Sequence, residues 1–220
     1  MHKINIDGYS VQEVYEDMKQ RNVPGTSEKL AQAHVIIAGA DGLGSNIATA
    51  LARAGVGHLT LIDFDAVELS NLNRQQFKLS QINVPKVIAL KQNILEFNPF
   101  ITISTIQERV TSQNAEALFG DSDIICEAFD DPHSKAVLLG SSREIFPNKP
   151  LVMGNGLAGI HSPNNIKTRQ QSENVYICGD NISAGVEGLM APRVLVCAGH
   201  QANVILQLIL GKVAFKFRRN

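Results

Sequence analysis

Between residues 34 and 62 the chain reads HVIIAGADGLGSNIATALARAGVGHLTLI. An apolar run rich in β-branched residues meets a glycine-rich turn, a stretch of helical period follows over 42–54, and Gly55 precedes a second apolar run. Short apolar runs bounded by glycine are the mark of strands covered on both faces, which need no polar alternation. The pattern continues downstream. Residues 86–97 have the period of an amphipathic helix closed by Asn98-Pro99, and 100–106 a strand. A short helix over 112–119, a strand over 123–129, a helix over 134–146 and a strand over 150–155 come next, and 194–211 form an apolar terminal helix. Such alternation predicts an α/β fold: a doubly wound, mostly parallel, Rossmann-like sheet with helices on both faces. Residues 157–190 are rich in Gly, Asn and Ser and predict irregular chain with a short antiparallel extension. Residues 1–33 predict an amino-terminal helical arm, with Ser10 as an N-cap and Pro24-Gly25 as a break, leaving 34–220 as the main domain.

The 220 residues suffice for one large domain and not for two ordinary ones. With 44% hydrophobic and 19% charged residues the chain can bury a substantial core. A net charge of −1 gives no long-range grip on DNA, RNA or an acidic membrane, so neither nucleic acid nor membrane is an expected partner. The first twenty residues lack the apolar centre of a signal peptide, and no apolar stretch reaches bilayer length. Cys126, Cys178 and Cys197 are odd in number, widely spaced and without a C-x-x-C pair. That excludes a disulfide framework and a four-thiolate zinc site, and makes the cytoplasm the expected location.

The glycine-rich turn places Gly39, Gly42 and Gly44 where backbone N–H groups and a helix N-terminus can meet a phosphate. Glycines alone are weak evidence, because they also serve tight strand-to-helix packing. Asp63, at the end of the second strand and about 20 positions on, adds an acceptor for ribose hydroxyls. Ribose recognition fits a dinucleotide and ATP equally. The next stretch, DFDAVELSNLNRQQFKLSQINVPKV, separates them by placing Asn71, Arg74, Gln75 and Lys86 beside the loop. A triphosphate needs such cations, whereas an NAD-dependent oxidoreductase leaves them without a task.

GADGLGS, LIDFDAVELSNLNRQ, VPKVIALKQNI, EAFDD and GLMAPRV, in that order, resemble the ThiF/HesA/MoeB family of the ubiquitin-activating-enzyme superfamily, most closely the short ThiF-like proteins of thiamine biosynthesis. The resemblance implies an ATP- and Mg²⁺-dependent adenylyltransferase. Its substrate would be the C-terminal glycine of a small ubiquitin-fold sulfur-carrier protein ending in Gly-Gly, activated for thiocarboxylate formation. A homodimer is implied as well. By motif position Asp63 holds the ribose; Ser70, Asn71, Asn73, Arg74, Gln75 and Lys86 surround the nucleotide; Asp130 positions Mg²⁺; Asp131 faces the nucleotide. Arg74, Lys86 and Asp130 are the implied catalytic residues. The plain alternative for Asp130 is a helix N-cap before Pro132, and for Arg193 of GLMAPRV a salt bridge at a helix start.

Two departures from the family pattern stand out. Many relatives carry two C-x-x-C pairs, whereas the YICGD region keeps only Cys178, so no structural zinc is expected. Asp41 stands where the family has glycine, an anion beside the expected phosphates. Three readings stay open: its carboxylate points away, it marks weakened or lost ATP binding, as in a non-catalytic relative that binds a ubiquitin-fold partner, or it helps to hold the metal. Adenylation of a carboxylate on a modified tRNA nucleoside is disfavoured by the near-neutral charge.

Overall fold

The computed structural model describes residues 8–213. The strands are β1 (His34–Ala38), β2 (His58–Ile62), β3 (Thr102–Ile106), β4 (Ile124–Glu127), β5 (Leu151–Gly154), β6 (Lys167–Ser172) and β7 (Val175–Gly179). The helices are α1 (Val11–Lys19), α2 (Ser27–Gln32), α3 (Gly42–Ala54), α4 (Lys86–Phe97), α5 (Ala115–Phe119), α6 (Pro132–Ile145) and α7 (Ala191–Ile209). One seven-stranded sheet runs β3-β2-β1-β4-β5-β7-β6, with every neighbouring pair parallel except β6 with β7. Chain order reverses between β1 and β4, which opens a crevice beyond the carboxyl ends of those two strands.

Side-chain alternation divides the core. Val35 and Ile37 of β1 pack on one face with Ile47 and Leu51 of α3 and Leu90 of α4. Ile36 and Ala38 pack on the other with Phe119 and Leu138 of α5 and α6. α3 also lies against α7, whose Cys197, Val204 and Ile205 are buried. Strands covered on both sides can be apolar nearly throughout, as in HVIIA; in HLTLI the one central polar residue, Thr60, is buried and bonded to His34.

The expected elements recur with small shifts. α3 and α4 have the bounds that their periodicity implies. In α1 the cap is Ser10, whose hydroxyl accepts the Glu13 N–H while Glu13 accepts the Ser10 N–H. α2 buries Leu30, and the Leu30 carbonyl accepts the Gly57 N–H, so this turn is tied to the sheet. The segment 157–190 contains the β6–β7 hairpin, but β7 joins β5 in parallel, so the antiparallel extension is one strand wide. Among the described residues no helix is long and apolar enough to cross a membrane.

The glycine loop is shaped by contact more than by torsion. Gly39 has φ +103°, and a Cβ there would lie 2.7 Å from the Ala128 carbonyl oxygen. A Cβ on Gly44 would come within 1.8 Å of the Gly39 carbonyl oxygen. Asp41, by contrast, has φ −77° and ψ −154°, ordinary extended backbone, so the turn does not need glycine at that place. At the opposite end of the strands, His34 and His58 stack with ring centroids 3.8 Å apart and bond Thr60 and Ser104.

Two outcomes follow for stability. Gly44→Ala forces backbone apart and should cost about 3 kcal/mol or more, measured by urea unfolding. Burial, and then the charge of His34, holds the His58 pKa below its ordinary value. The unfolded chain therefore takes up the proton first as pH falls, and stability should decline below about pH 6.5 until the folded pKa is reached. The His58→Gln variant should show a shallower fall of melting temperature between pH 7 and pH 5.

Candidate active site at the carboxyl ends of the strands

Asp63 follows β2 directly and is only 6% exposed. Its Oδ2 accepts the Ala40 N–H at 2.6 Å and its Oδ1 the Asp65 N–H at 2.8 Å. One carboxylate thus ties the glycine loop after β1 to the chain leaving β2. Burial raises the Asp63 pKa, opposed by these two N–H bonds.

The long connection from β2 to α4 folds back on itself. The Val67 N–H donates to the Val84 carbonyl, the Asn83 N–H donates to the Val67 carbonyl, Ala66 pairs with Pro85, and the Asp65 carbonyl accepts the Lys86 N–H. Lys86 is consequently delivered at the first position of α4 with its side chain inward, 4% exposed. Its Nζ donates to Asp41 Oδ1 at 2.6 Å and to Asp65 Oδ2 at 3.2 Å. Burial alone would lower the Lys86 pKa, but Asp41, Asp63 and Asp65 outweigh it and hold the ammonium charge firmly. Gln75 is buried as well; its amide donates to the same Asp41 Oδ1 at 2.9 Å, and its Oε1 has no partner among the described residues.

Arg74 reaches the cleft by another route. Asn46 of α3 donates to the Arg74 carbonyl at 3.0 Å, and the Ser45 hydroxyl accepts the Gln76 N–H, so α3 holds the segment 74–76 from below. The arginine stem lies over Gly42, and its guanidinium donates to the Ser70 carbonyl and to Asn73 Oδ1. Asn71 uses its side-chain oxygen to close its own turn on the Glu68 N–H, and Asn73 donates to the Leu189 carbonyl. The Ser70 hydroxyl meets Glu68 at 3.4 Å. Of the residues singled out in sequence, Asp63, Arg74, Gln75, Lys86 and Asp130 converge around the glycine loop. Ser70, Asn71 and Asn73 spend their visible bonds on shaping the loop that carries Arg74.

Arg74, Asp130 and Asp41 line a cleft of about 350 Å³ whose floor is Gly42 and Leu43. A smaller cavity, shared by Asp41, Asp63 and Asp130, continues it on the other side. Asp130 is exposed at the rim and does not cap α6. That task falls to Asp131, whose Oδ2 accepts both the N–H and the hydroxyl of Ser134, each at 2.8 Å. Those bonds hold the Asp131 pKa below the usual carboxylate value. The N-cap reading therefore belongs to Asp131, one position on from where the sequence places it; Asp131 bonds its own helix and also borders the smaller cavity with Asp41, Asp63 and Asp130.

Sequence reading misses the cleft's back wall. Glu127, the last residue of β4, is fully buried, and Lys135 of α6 grips both its oxygens at 2.8 and 3.0 Å while donating to the Gly154 carbonyl. Burial raises the Glu127 pKa, with Lys135 opposing. Gln201 of α7 donates to the Glu127 carbonyl. The available signal is the carboxylate itself, since an acid inside the apolar run DIICEAF demands a partner. The opposite wall is held by Arg193, which sits at the start of α7 and is 5% exposed. It pairs with Asp180 and donates to the carbonyls of Ala158, His161 and Ser162, so the salt bridge expected at a helix start is present. The three cysteines are buried and unpaired, and burial pushes the Cys178 thiol up to about 11. A buried, protonated thiol is a poor nucleophile.

The donor set fits a nucleotide with a magnesium ion. Among the described residues no three His, Cys, Asp or Glu side chains are grouped to hold a metal unaided. Mg²⁺ needs only one or two carboxylates when phosphates complete its shell, and the exposed Asp130 meets that condition.

Residues 14–220 match the model of the ThiF family. The chain is 33% identical over 192 residues to the molybdopterin-synthase adenylyltransferase of Escherichia coli (strain K12), which covers 84% of this chain and 76% of that protein. It is 31% identical over 219 residues to the adenylyltransferase and sulfurtransferase MOCS3 of Culex quinquefasciatus, covering 84% of this chain and spanning about half, 50%, of that relative. Among solved structures, E. coli tRNA N6-threonylcarbamoyladenosine dehydratase in complex with ATP superposes with a TM-score of 0.81 at 21% identity, covering 91% of this chain and 95% of the other. That last likeness shows the fold.

Lys135→Met, which leaves Glu127 buried without its counter-ion, should destabilise the protein by about 3–5 kcal/mol in urea unfolding. Adding Glu127→Gln should recover a substantial part of that loss.

Proposed function

The chain belongs to the ThiF family, and from that premise we propose that it is an ATP- and Mg²⁺-dependent adenylyltransferase acting on the C-terminal glycine of a small ubiquitin-fold sulfur-carrier protein. The observation that carries this reading is the placement at the strand ends of Arg74 and Asp130 on a glycine-floored cleft, Asp63 and Asp130 on the smaller cavity beside it, and Lys86 bonded to the Asp41 that borders both. In the reaction the carrier's terminal carboxylate oxygen bonds to the α-phosphorus, the bond from that phosphorus to the bridging oxygen breaks, and pyrophosphate leaves with the electron pair. A sulfur nucleophile then attacks the acyl-adenylate carbonyl and expels AMP, leaving the thiocarboxylate or its precursor.

Each residue has a physical task in that scheme. Asp63 accepts ribose hydroxyls. The guanidinium of Arg74 forks across phosphate oxygens, and Lys86 acts as a buried point charge. Cations fixed in a cleft that excludes water stabilise charge developing on the phosphoryl oxygens without reorganising. Asp130 would hold Mg²⁺, which when bound would supply Lewis-acid polarisation of the phosphates. The connection 64–85 positions Arg74 through Ser70, Asn71 and Asn73. α3 begins at Gly42, which with Leu43 lines the same cleft, and a helix N-terminus favours negative charge.

The adenylyltransferase relatives support this chemistry, and the net charge of −1 favours a protein substrate over tRNA. Resemblance to the short ThiF-like proteins points to thiamine biosynthesis as the destination of the sulfur. The working unit is a homodimer, and the reduced cysteines fit the cytoplasm.

ATP–pyrophosphate exchange that requires both Mg²⁺ and a carrier ending in Gly-Gly is the expected result with the purified chain. Binding of NAD without binding of ATP would overturn the proposal. Arg74→Ala should lower exchange about 100-fold or more with an unchanged circular dichroism spectrum; unaltered exchange removes Arg74 from the site.

A further inference from the structure

The feature that the family pattern does not account for is Asp41. Its Oδ1 receives two charged or polar donors, Lys86 Nζ at 2.6 Å and Gln75 Nε2 at 2.9 Å. Both donors belong to buried side chains, and neither faces open solvent. This oxygen holds the same kind of donors, an ammonium and an amide, that a phosphoryl oxygen would use if it reached Lys86 and Gln75. Asp41 also borders both the cleft and the smaller cavity behind it, so it lies between their contents and Lys86.

Resting on the nucleotide reading of this cleft, we infer that the Asp41 carboxylate is a built-in competitor, standing in for a phosphate on Lys86 and Gln75 in the free protein. Nucleotide binding must move it aside, and this sets both the affinity and the charge class of the ligand. Around the cleft and the smaller cavity Asp41, Asp63, Asp65, Glu108, Asp130 and Asp131 outnumber the cations Arg74, Lys86 and Arg109, while Lys135 is held by Glu127. A bare polyphosphate meets net repulsion there, while a polyphosphate that brings a divalent cation meets much less. The residue thereby makes the site selective for the metal complex over the free nucleotide. The backbone at 41 is extended and tolerates any residue, so the acid is a choice of side chain and not a demand of the turn.

Calorimetric titration of the full chain with ATP, with Mg²⁺ and with EDTA, tests this in the native protein, Asp41→Asn, Asp41→Gly, Lys86→Gln and the Asp41→Asn/Lys86→Gln double variant. Asp41→Asn keeps the shape and removes the charge; Asp41→Gly guards against a misplaced amide. Both should bind metal-free ATP at least about tenfold more tightly than the native protein, and the gap between Mg-ATP and free ATP should narrow. In the Lys86→Gln background the gain from Asp41→Asn should differ from that in the native background, because the two residues share one contact; strictly additive gains would overturn competition for Lys86. Native-like or weaker ATP binding by both Asp41 variants overturns the inference while leaving the proposed function intact. So does a selective loss of Mg-ATP binding, which would make Asp41 a metal ligand. Absence of ATP binding in every form, with Mg²⁺ present, overturns the nucleotide reading itself and this inference with it.

Discussion

The bond from the Ala40 N–H to Asp63 is the joint on which the cleft depends. β1 and β2 are parallel neighbours, so their carboxyl ends finish side by side, and one short carboxylate can span the gap. Gly39 permits the turn into α3, and the absence of a side chain on Gly44 lets that helix approach within contact of the turn. With loop, helix and strand end fixed together, the connection from 64 to 85 has a rigid surface to fold against. Arg74 and Lys86 are then placed by backbone hydrogen bonds before any ligand arrives.

The charge balance of the cleft is tighter than a list of its cations implies. Lys86 is nearly inaccessible and already neutralised, and Lys135 is committed to Glu127 and the Gly154 carbonyl. Arg74 is the cation with its stem along the cleft floor and its head on the rim loop. Buried pairs of this kind cost desolvation and are retained where they fix geometry. Here they hold α6 to β4 and α4 to the glycine loop, the two joins that flank the crevice.

Much of this was legible in the residues. Apolar strands bounded by glycine, and helices of clear period such as 42–54 and 86–97, are local signals, and local signals transfer. Asp63 was legible because it sits at a fixed distance from the loop, Lys86 because a proline and a helix start place it. The β6–β7 hairpin was harder, since QQSEN turns a strand without glycine or proline and its outer strand is polar. Asp130 and Asp131 could not be separated in sequence: either acid can precede Pro132, and only the turn geometry decides which one bonds Ser134. Glu127, Lys135, Arg193 and Asp180 were opaque as pairs because partners 8 and 13 positions apart meet only after the sheet forms. Asp41 was visible as an anomaly, but its partners lie 34 and 45 residues away.

The guanidinium of Arg193 joins both segments of the cleft's far wall at once. It holds the carbonyls of Ala158, His161 and Ser162 with one side and Asp180 with the other, while Asp180 gathers Ile182 and Ser183. Ser183 in turn accepts the Ala158 N–H, and Gly159 donates to Gly188. The two loops are therefore cross-linked to each other and to the first turn of the terminal helix. Widening the cleft on this side would break hydrogen bonds in both loops, not one, and would pull on the first turn of that helix.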